Sequence, residues 1–411
     1  MAVGPGAQVV NVGLRRSAIV AGLASAIGVV IAVTPGHRGW FDLGVYHGAV
    51  TYWIRDGGDL YSYLRPGSIY GFTYPPFAAV CMLPMAFVGW HPAIAVNLVL
   101  TVAASAFLLF FLVDPIARRQ GWSRWYTFGL AACAFAALNP VRDTVSFGQI
   151  NLLLVAAVYA DLWLLDRGSR LAGIGIGLAA AIKLTPGIFI GYLLITRQWR
   201  AAATAAGTAA GATLLAAAAL VPDASRAYFT DALWNTGRIG ALDYVSNQSL
   251  LGLVARLNPA APNKLLWVAL AAGVLAGWLW RSAQARRVGD HHAGFATTGL
   301  VSCLISPITW VHHLVWLVPG LVVLADAALP WKTAGWREHF ALRAGIACYG
   351  LLVSSVVWLW SLDHSGPTAL VGANAYVAVT VMLLVAVRAA PPSPDAYRMV
   401  MGVPRGRPGS R

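Results

Sequence analysis

Apolar runs recur along the chain from residue 17 to residue 388, with only short polar breaks between them. A helix that crosses the hydrocarbon core of a bilayer needs about 20 predominantly apolar residues. That length predicts spans near residues 17–33, 92–113, 125–140, 150–166, 200–221, 262–281, 291–306, 312–328, 344–361 and 368–388. Several are short, so they must tilt, extend through polar flanks or be sheltered by neighbours. Proline breaks two further regions. One is 74–89, which opens on Tyr74-Pro75-Pro76 and contains Pro84. The other is 171–196, where Lys183-Leu184-Thr185-Pro186 separates two short apolar arms. Broken backbone survives at membrane depth only where protein or a water-filled cavity satisfies its polar groups. Both regions are therefore candidate cavity walls.

Composition agrees with this pattern. Hydrophobic residues make up 58% of the 411 and charged residues 11%, against about 25% charged in a soluble domain. Length alone would allow two soluble domains, but the continuous recurrence of apolar runs favours one all-α polytopic membrane domain. The stretch Ser17–Val33, preceded by Arg15 and Arg16, has the flavour of a signal peptide. No small-residue cleavage site is clear, and it reads as a retained first helix. Cys81, Cys133, Cys303 and Cys348 all lie within apolar runs and read as small hydrophobes rather than disulfide partners or metal ligands.

The net charge of +14 would suggest nucleic acid in a soluble protein. Here the cations sit in short loops, at Arg15/Arg16, Arg118/Arg119/Arg124, Arg167/Arg170, Arg197/Arg200, Arg281/Arg286/Arg287 and Lys332/Arg337/Arg343, and in the tail from Arg388 to Arg411. That placement is a topology signal, not a nucleic-acid surface, and it assigns these loops to the cytoplasm. The expected organisation is a cytoplasmic N-terminus at 1–16, one transmembrane domain at 17–388 and a basic, disordered cytoplasmic tail at 389–411. Loops 34–73, 141–149, 222–249 and 306–313, and the 183–186 break, then fall together on the other face. The alternation closes if 74–89 is a partial span and 171–196 a short hairpin.

Unusual polar residues collect on that face, and ionisable groups at a membrane boundary mark a site by default. Asp42 lies between Trp40/Phe41 and Tyr46, surroundings that desolvate a carboxylate and suit a general base. An exposed or helix-capping aspartate is the plainer alternative. Trp310-Val311-His312-His313 follows Ser306-Pro307, and histidines there can donate to an anion or orient a carboxylate, or form an interfacial pair with no chemistry. Lys183 follows a largely apolar stretch and needs an anionic partner, either a phosphate or a neighbouring carboxylate. Gln149, Asn151, Asn247 and Gln248 offer uncharged hydrogen bonds of the kind that read sugar hydroxyls. Trp40 and Trp310 are candidate stacking faces for a sugar, while His291-His292 adjoins a basic loop and reads as surface decoration. No histidine spacing or carboxylate pair suggests a metal site. A Walker loop and a Rossmann glycine pattern are also missing from the sequence, which argues against an ATP-driven pump.

These residues carry a resemblance. Phe41-Asp42-Leu43 with Val45-Tyr46, the run from Phe72 to Ala79, Gly148-Gln149 with Asn151, Lys183-Leu184-Thr185-Pro186, Tyr228-Phe229-Thr230, Arg238-Ile239-Gly240, Asn247-Gln248-Ser249, and Ser306-Pro307 with Trp310, His312 and His313 occur in order over residues 40–320. Together the set resembles the actinobacterial polyprenyl-phosphate-mannose-dependent α-1,2-mannosyltransferases, which are type C membrane glycosyltransferases. The resemblance implies a bundle of roughly 10–13 transmembrane helices with a structured first periplasmic loop. It implies a plasma-membrane enzyme whose site faces the periplasm. The donor would be polyprenyl-phosphate-mannose, with no other cofactor, and the acceptor a mannose of a phosphatidylinositol mannoside or of lipomannan. Asp42 would be the catalytic aspartate, with the His312/His313 pair beside it. Tyr46, Tyr74, Gln149, Asn151, Lys183, Arg238, Asn247, Gln248 and Trp310 would contact substrate. Two rivals use the same polar cavity. One is a lipid-linked sugar flippase, which should show corresponding broken helices in both halves, whereas both broken regions here precede residue 200. The other is an arabinofuranosyltransferase with a decaprenyl donor. The oligomeric state is left open.

Overall fold

In the computed structural model, residues 5–33, 36–234, 240–329, 335–362 and 366–391 are described. Among these residues the chain is helical, with eighteen α-helices, short 3₁₀ and π turns and one isolated β-bridge between Leu64 and Gly71. Four helices are long and apolar enough to cross a bilayer unaided: Val12–Val33, Trp90–Arg119, Trp199–Ala218 and Lys264–Val288. Two further helix pairs reach that length only together and are bent at the break, Asn139–Phe147 with Asn151–Asp166 by 116° and Gly366–Ala373 with Ala375–Ala386 by 51°. The chain is thus an all-α multi-pass membrane protein, in which further apolar helices, among them Pro76–Phe87, Thr185–Ile195 and Val311–Ala327, are shorter than a full bilayer crossing.

Breaks account for these shorter helices. The stretch 125–140, expected as one span, ends at Ala137, and a new helix starts at Asn139 with Pro140 in its first turn. Pro is tolerated there because the first-turn N–H has no intrahelical partner. The loop expected at 141–149 is consequently helical to Phe147. The region expected as a hairpin at 171–196 forms two short helices, Ile174–Ile182 and Ile188–Ile195, parted at Lys183-Leu184-Thr185-Pro186. The expected first external loop is structured around the helix Phe41–Arg55, which buries Leu43, Val45, Tyr46, Ala49 and Val50.

The bundle closes around the helix His291–Ile305, in which every residue from Ala293 to Leu304 is buried. A helix with no exposed face must satisfy its polar side chains internally. Thr297 and Ser302 donate to the carbonyls of Ala293 and Gly299, and Thr298 donates to Gly294 while accepting from the Trp278 indole at 2.9 Å.

The two ends of the bundle differ chemically. At one end the arginine-rich termini are cross-linked: Asp114 accepts from Arg118 and Arg124 at 2.6 and 2.7 Å, Arg119 pairs with Asp326, and His292 meets Asp166 at 3.1 Å. His291 and His292 are therefore not surface decoration. His292 also stacks on Phe111, and His291 bonds Tyr192 at 3.0 Å. The same helices present their other ends to Asp42, Gln149, Lys183 and His313. Helix Asn151–Asp166 begins there, and helix His291–Ile305 ends there. The one-sided grouping expected from arginine placement is thus a property of the fold.

Candidate active site

The segment before Asp42 is pinned to the Asn139–Phe147 helix. The Arg38 N–H donates to Ser146 Oγ at 2.6 Å and the Trp40 N–H to the Ser146 carbonyl at 3.0 Å. Between them Gly39 and Trp40 both adopt left-handed backbone, with φ of 61° and 53°. For a bulky residue such as Trp40 this costs about 1–2 kcal/mol, so the tethers to Ser146 and the packing must hold it. The result is a helix that opens with Asp42 in its first turn, where a carboxylate is favoured by the exposed N–H groups. Arg65 steadies the same turn, stacking 4.4 Å from the Phe41 ring and donating to the Phe41 carbonyl.

Facing Asp42 is the 116° bend between Phe147 and Asn151. Gly148 makes the bend with φ of 69°, and a Cβ on it would run into Leu43 and Trp40. The bend delivers Gln149 and Asn151 side by side. Gln149 Nε2 donates to Asp42 Oδ2 at 2.6 Å, and its Oε1 accepts from the Tyr74 hydroxyl at 2.9 Å and Asn151 Nδ2 at 3.3 Å. The Tyr46 hydroxyl donates to that of Tyr74 at 3.0 Å. Tyr46 and Tyr74 are buried, and their hydroxyls run in a chain to the Gln149 amide.

The network continues to the proline break. Lys183 Nζ donates to Asn151 Oδ1 at 3.0 Å and lies 2.9 Å from His313 Nε2 and 5.2 Å from the Tyr74 ring centre. His313 Nδ1 accepts from the Trp310 N–H at 3.2 Å. With Nδ1 accepting, a neutral His313 carries its proton on Nε2 and points it at Lys183 Nζ, so the lysine in this arrangement accepts as an amine. Among the described residues no carboxylate pairs with Lys183, which removes a carboxylate salt bridge as the partner. Lys183 and His313 instead line a small pocket with Asn151, Thr185, Ser306 and Thr309. The Ser306 and Thr309 hydroxyls already donate to the Ile308 and Cys303 carbonyls at 2.9 and 2.7 Å, so the groups left to face the pocket are the Lys183 amine, the His313 imidazole and the Thr185 hydroxyl.

Asp42 keeps some surface open, yet its carboxyl sits among buried neighbours, and desolvation raises its pKa to about 6. The Gln149 hydrogen bond and the charges of Lys183 and Arg65 oppose that rise. At neutral pH the group is ionised and near the pKa suited to taking a proton.

Other expected residues are placed differently. Asn247 and Gln248 are fully buried, and both amides are consumed by the fold. Asn247 donates to the carbonyls of Leu242 and Pro307 and accepts from the N–H groups of Ser249 and Thr309. Gln248 donates to Val245 and Ala373 and accepts from Tyr376 and Val377. Nothing remains to read a sugar. Trp310 lies beside the site, its ring 6.2 Å from that of Tyr244. Of the two histidines, His313 joins the Lys183 network, while the His312 ring packs 5.0 Å from Phe147. Arg238 lies outside the described residues. Sequence reasoning missed Asp143, a buried carboxylate in the helix before the bend. An acidic residue inside an otherwise membrane-level helix was the available signal.

The fold defines a polytopic membrane protein in which a carboxylate and a small polar pocket are joined by one hydrogen-bonded network. The sequence profile of glycosyltransferase family 87 matches residues 72–307, and the chain belongs to that family. Asp42 and the two histidines flank the matched stretch. The chain is 32% identical over 348 residues to a polyprenol-phosphate-mannose-dependent alpha-(1-2)-phosphatidylinositol mannoside mannosyltransferase of Mycobacterium tuberculosis (strain H37Rv), covering 80% of this chain and 78% of that protein. Its similarity to the protein of the same description from Mycolicibacterium smegmatis is 34% over 329 residues, covering 73% and 74%. A polyprenol-phosphate-mannose-dependent alpha-(1-2)-phosphatidylinositol pentamannoside mannosyltransferase of Mycobacterium tuberculosis (strain CDC 1551) is 33% identical over 369 residues, covering 84% and 79%. No solved structure matches the chain.

Proposed function

We propose that this glycosyltransferase moves mannose from polyprenyl-phosphate-mannose to the 2-hydroxyl of a mannose on a phosphatidylinositol mannoside or lipomannan acceptor. The relatives' descriptions supply the donor and the linkage, and the geometry supplies the chemistry. Asp42 takes the proton of the acceptor 2-hydroxyl, and that oxygen forms a bond to C1 of the donor mannose. The C1–O bond to phosphate breaks on the opposite face, and its electron pair leaves with the polyprenyl phosphate. One displacement converts a β-linked donor into an α-linked product. A well-placed base contributes about 10²–10⁴-fold. Lys183 and His313, with Thr185, receive the departing phosphate, where donors already aimed at the developing charge act most strongly.

The observation that carries this reading is the continuous hydrogen-bonded path Asp42–Gln149–Asn151–Lys183–His313. It supports a reading in which the base and the leaving-group pocket share one frame. The site faces the periplasm in this reading, because the opposite end carries the arginine clusters. Residues 1–16 and 389–411 then lie in the cytoplasm. A lipid-linked donor suits such a site because its tail stays in the bilayer.

The test is direct. Purified protein in vesicles is given labelled polyprenyl-phosphate-mannose with phosphatidylinositol mannosides. Label in a larger mannolipid, released by an exo-α-1,2-mannosidase, supports the reading. Label that crosses the vesicle without entering a product contradicts it.

A further inference from the structure

Buried polar side-chain atoms normally have hydrogen-bond partners. Five that have none in this protein occur on four residues of one neighbourhood: Arg38 Nε, Arg142 Nε, Asp143 Oδ2 and both ring nitrogens of His312. Phe147 sits at the centre of the group. The His312 ring is 5.0 Å from the Phe147 ring, and the Arg38 guanidinium carbon is 5.7 Å from it and 4.3 Å from the Trp358 ring. Asp143 lies one helical turn before Phe147. Its side chain is within electrostatic reach of Arg38, Arg142 and Asp42. Asp143 and His312 are 4% and 3% exposed, so neither is solvated in place of being bonded.

The neighbourhood adjoins the phosphate pocket without overlapping it. His312 feels the charges of both Lys183 and Arg38, yet Arg38, Asp143 and His312 do not line the pocket around Lys183. Each part is held rigidly. The Arg38 N–H is tied to Ser146, and Arg142 Nη2 donates to the Val353 carbonyl and Ser355 Oγ, both at 2.9 Å. The Trp358 indole donates to Asn139 Oδ1 at 3.2 Å.

The chemistry selects the ligand. The Asp143 carboxylate offsets one of the two guanidinium charges, and its acceptor oxygen has no use for a phosphate, which in its ionised form only accepts. A carboxylate that accepts, guanidinium and imidazole groups that donate, and aromatic faces beside them match a neutral polyhydroxylated ring, whose hydroxyls both donate and accept. We infer that Arg38, Asp143 and His312, with Phe147 and Trp358 as apolar faces, form the subsite that binds the acceptor sugar receiving the transferred mannose. This rests on the proposed reaction. It places the acceptor ring beside Asp42 and gives the buried Asp143 a role that the transfer chemistry leaves unused.

The test measures acceptor and donor separately. Kinetics with polyprenyl-phosphate-mannose and a soluble alkyl α-mannoside are compared for wild type, Asp143→Asn and Trp358→Leu. Losing a charged acceptor from a site built to bind hydroxyls should raise the acceptor KM about tenfold or more, with donor KM held within about twofold. Trp358→Leu should move the same parameter in the same direction, and it carries the test if Asp143→Asn fails to fold. An acceptor KM within about twofold of wild type in both variants, or donor and acceptor KM rising together, would overturn the subsite. Equilibrium binding of the alkyl α-mannoside without donor separates this proposal from the reaction itself. Binding by wild type that is lost in Asp143→Asn supports the subsite even if no transfer occurs. No binding by wild type overturns it.

Discussion

The carboxylate of Asp42 is held by the amide of Gln149 at 2.6 Å, and that amide cannot rotate because Tyr74 and Asn151 both donate to its oxygen. The residue proposed as base is thus oriented by a neutral partner instead of a cation. A direct salt bridge would hold its pKa low and make it a poor base. With Gln149 as partner, desolvation prevails and the pKa rises to about 6. Only the ionised carboxylate accepts a proton, so kcat/KM should fall as pH drops through about 6. Gln149 lowers the pKa, so Gln149→Leu should move this acidic limb to higher pH while the limb keeps its shape. A pH–rate profile of the two proteins checks the sign. A limb that stays in place, or moves to lower pH, contradicts the assignment.

Gly148 should tolerate no side chain. Its φ of 69° and the approach of Leu43 and Trp40 both act against a Cβ. Gly148→Ala should destabilise the protein by about 1–3 kcal/mol and reduce transfer further than the stability loss explains, because the bend places Gln149 against Asp42. Thermal unfolding in detergent, paired with kcat at a temperature where both proteins are folded, separates the two effects.

Gln248 should behave as a structural residue. Its amide joins the Val245 carbonyl to the start of the helix Ala375–Ala386 through four hydrogen bonds. Gln248→Ala leaves several buried backbone groups without partners, at about 1–3 kcal/mol each. The expected result is a large fall in folded yield or melting temperature, with KM for both substrates unchanged in the protein that survives. A folded, stable variant with a raised acceptor KM would restore a sugar-binding role.

The sequence made the membrane class legible because apolar runs of bilayer length need no tertiary information. The common end of Asp42, Gln149, Lys183 and His313 was legible too, because arginine placement orients each helix independently. The Lys183-Leu184-Thr185-Pro186 break could be read because proline interrupts an apolar run. What the sequence hid depends on direction. Asn247 and Gln248 have the chemistry of sugar-binding residues, and only the fold shows all their hydrogen bonds spent on backbone. Tyr46 and Tyr74 likewise turn toward Gln149. Asp143 was overlooked because the stretch 141–149 read as a loop, where an aspartate is unremarked. As a helix it buries that carboxylate beside Phe147. Where polar and proline residues at the level of the site divide apolar runs into shorter helices, as at Ala137–Asn139, the sequence alone could not place the breaks.

The central claim is that Asp42 is the base for mannosyl transfer. The most direct measurement compares purified wild type and Asp42→Asn for transfer of labelled mannose from polyprenyl-phosphate-mannose to a mannoside acceptor. Donor binding and melting temperature are recorded for both. Asn keeps the size of Asp and can still meet the Gln149 amide, so the fold should persist. The expected result is transfer reduced by about 10²–10⁴-fold with donor binding retained. Transfer by Asp42→Asn at near the wild-type rate would contradict the account.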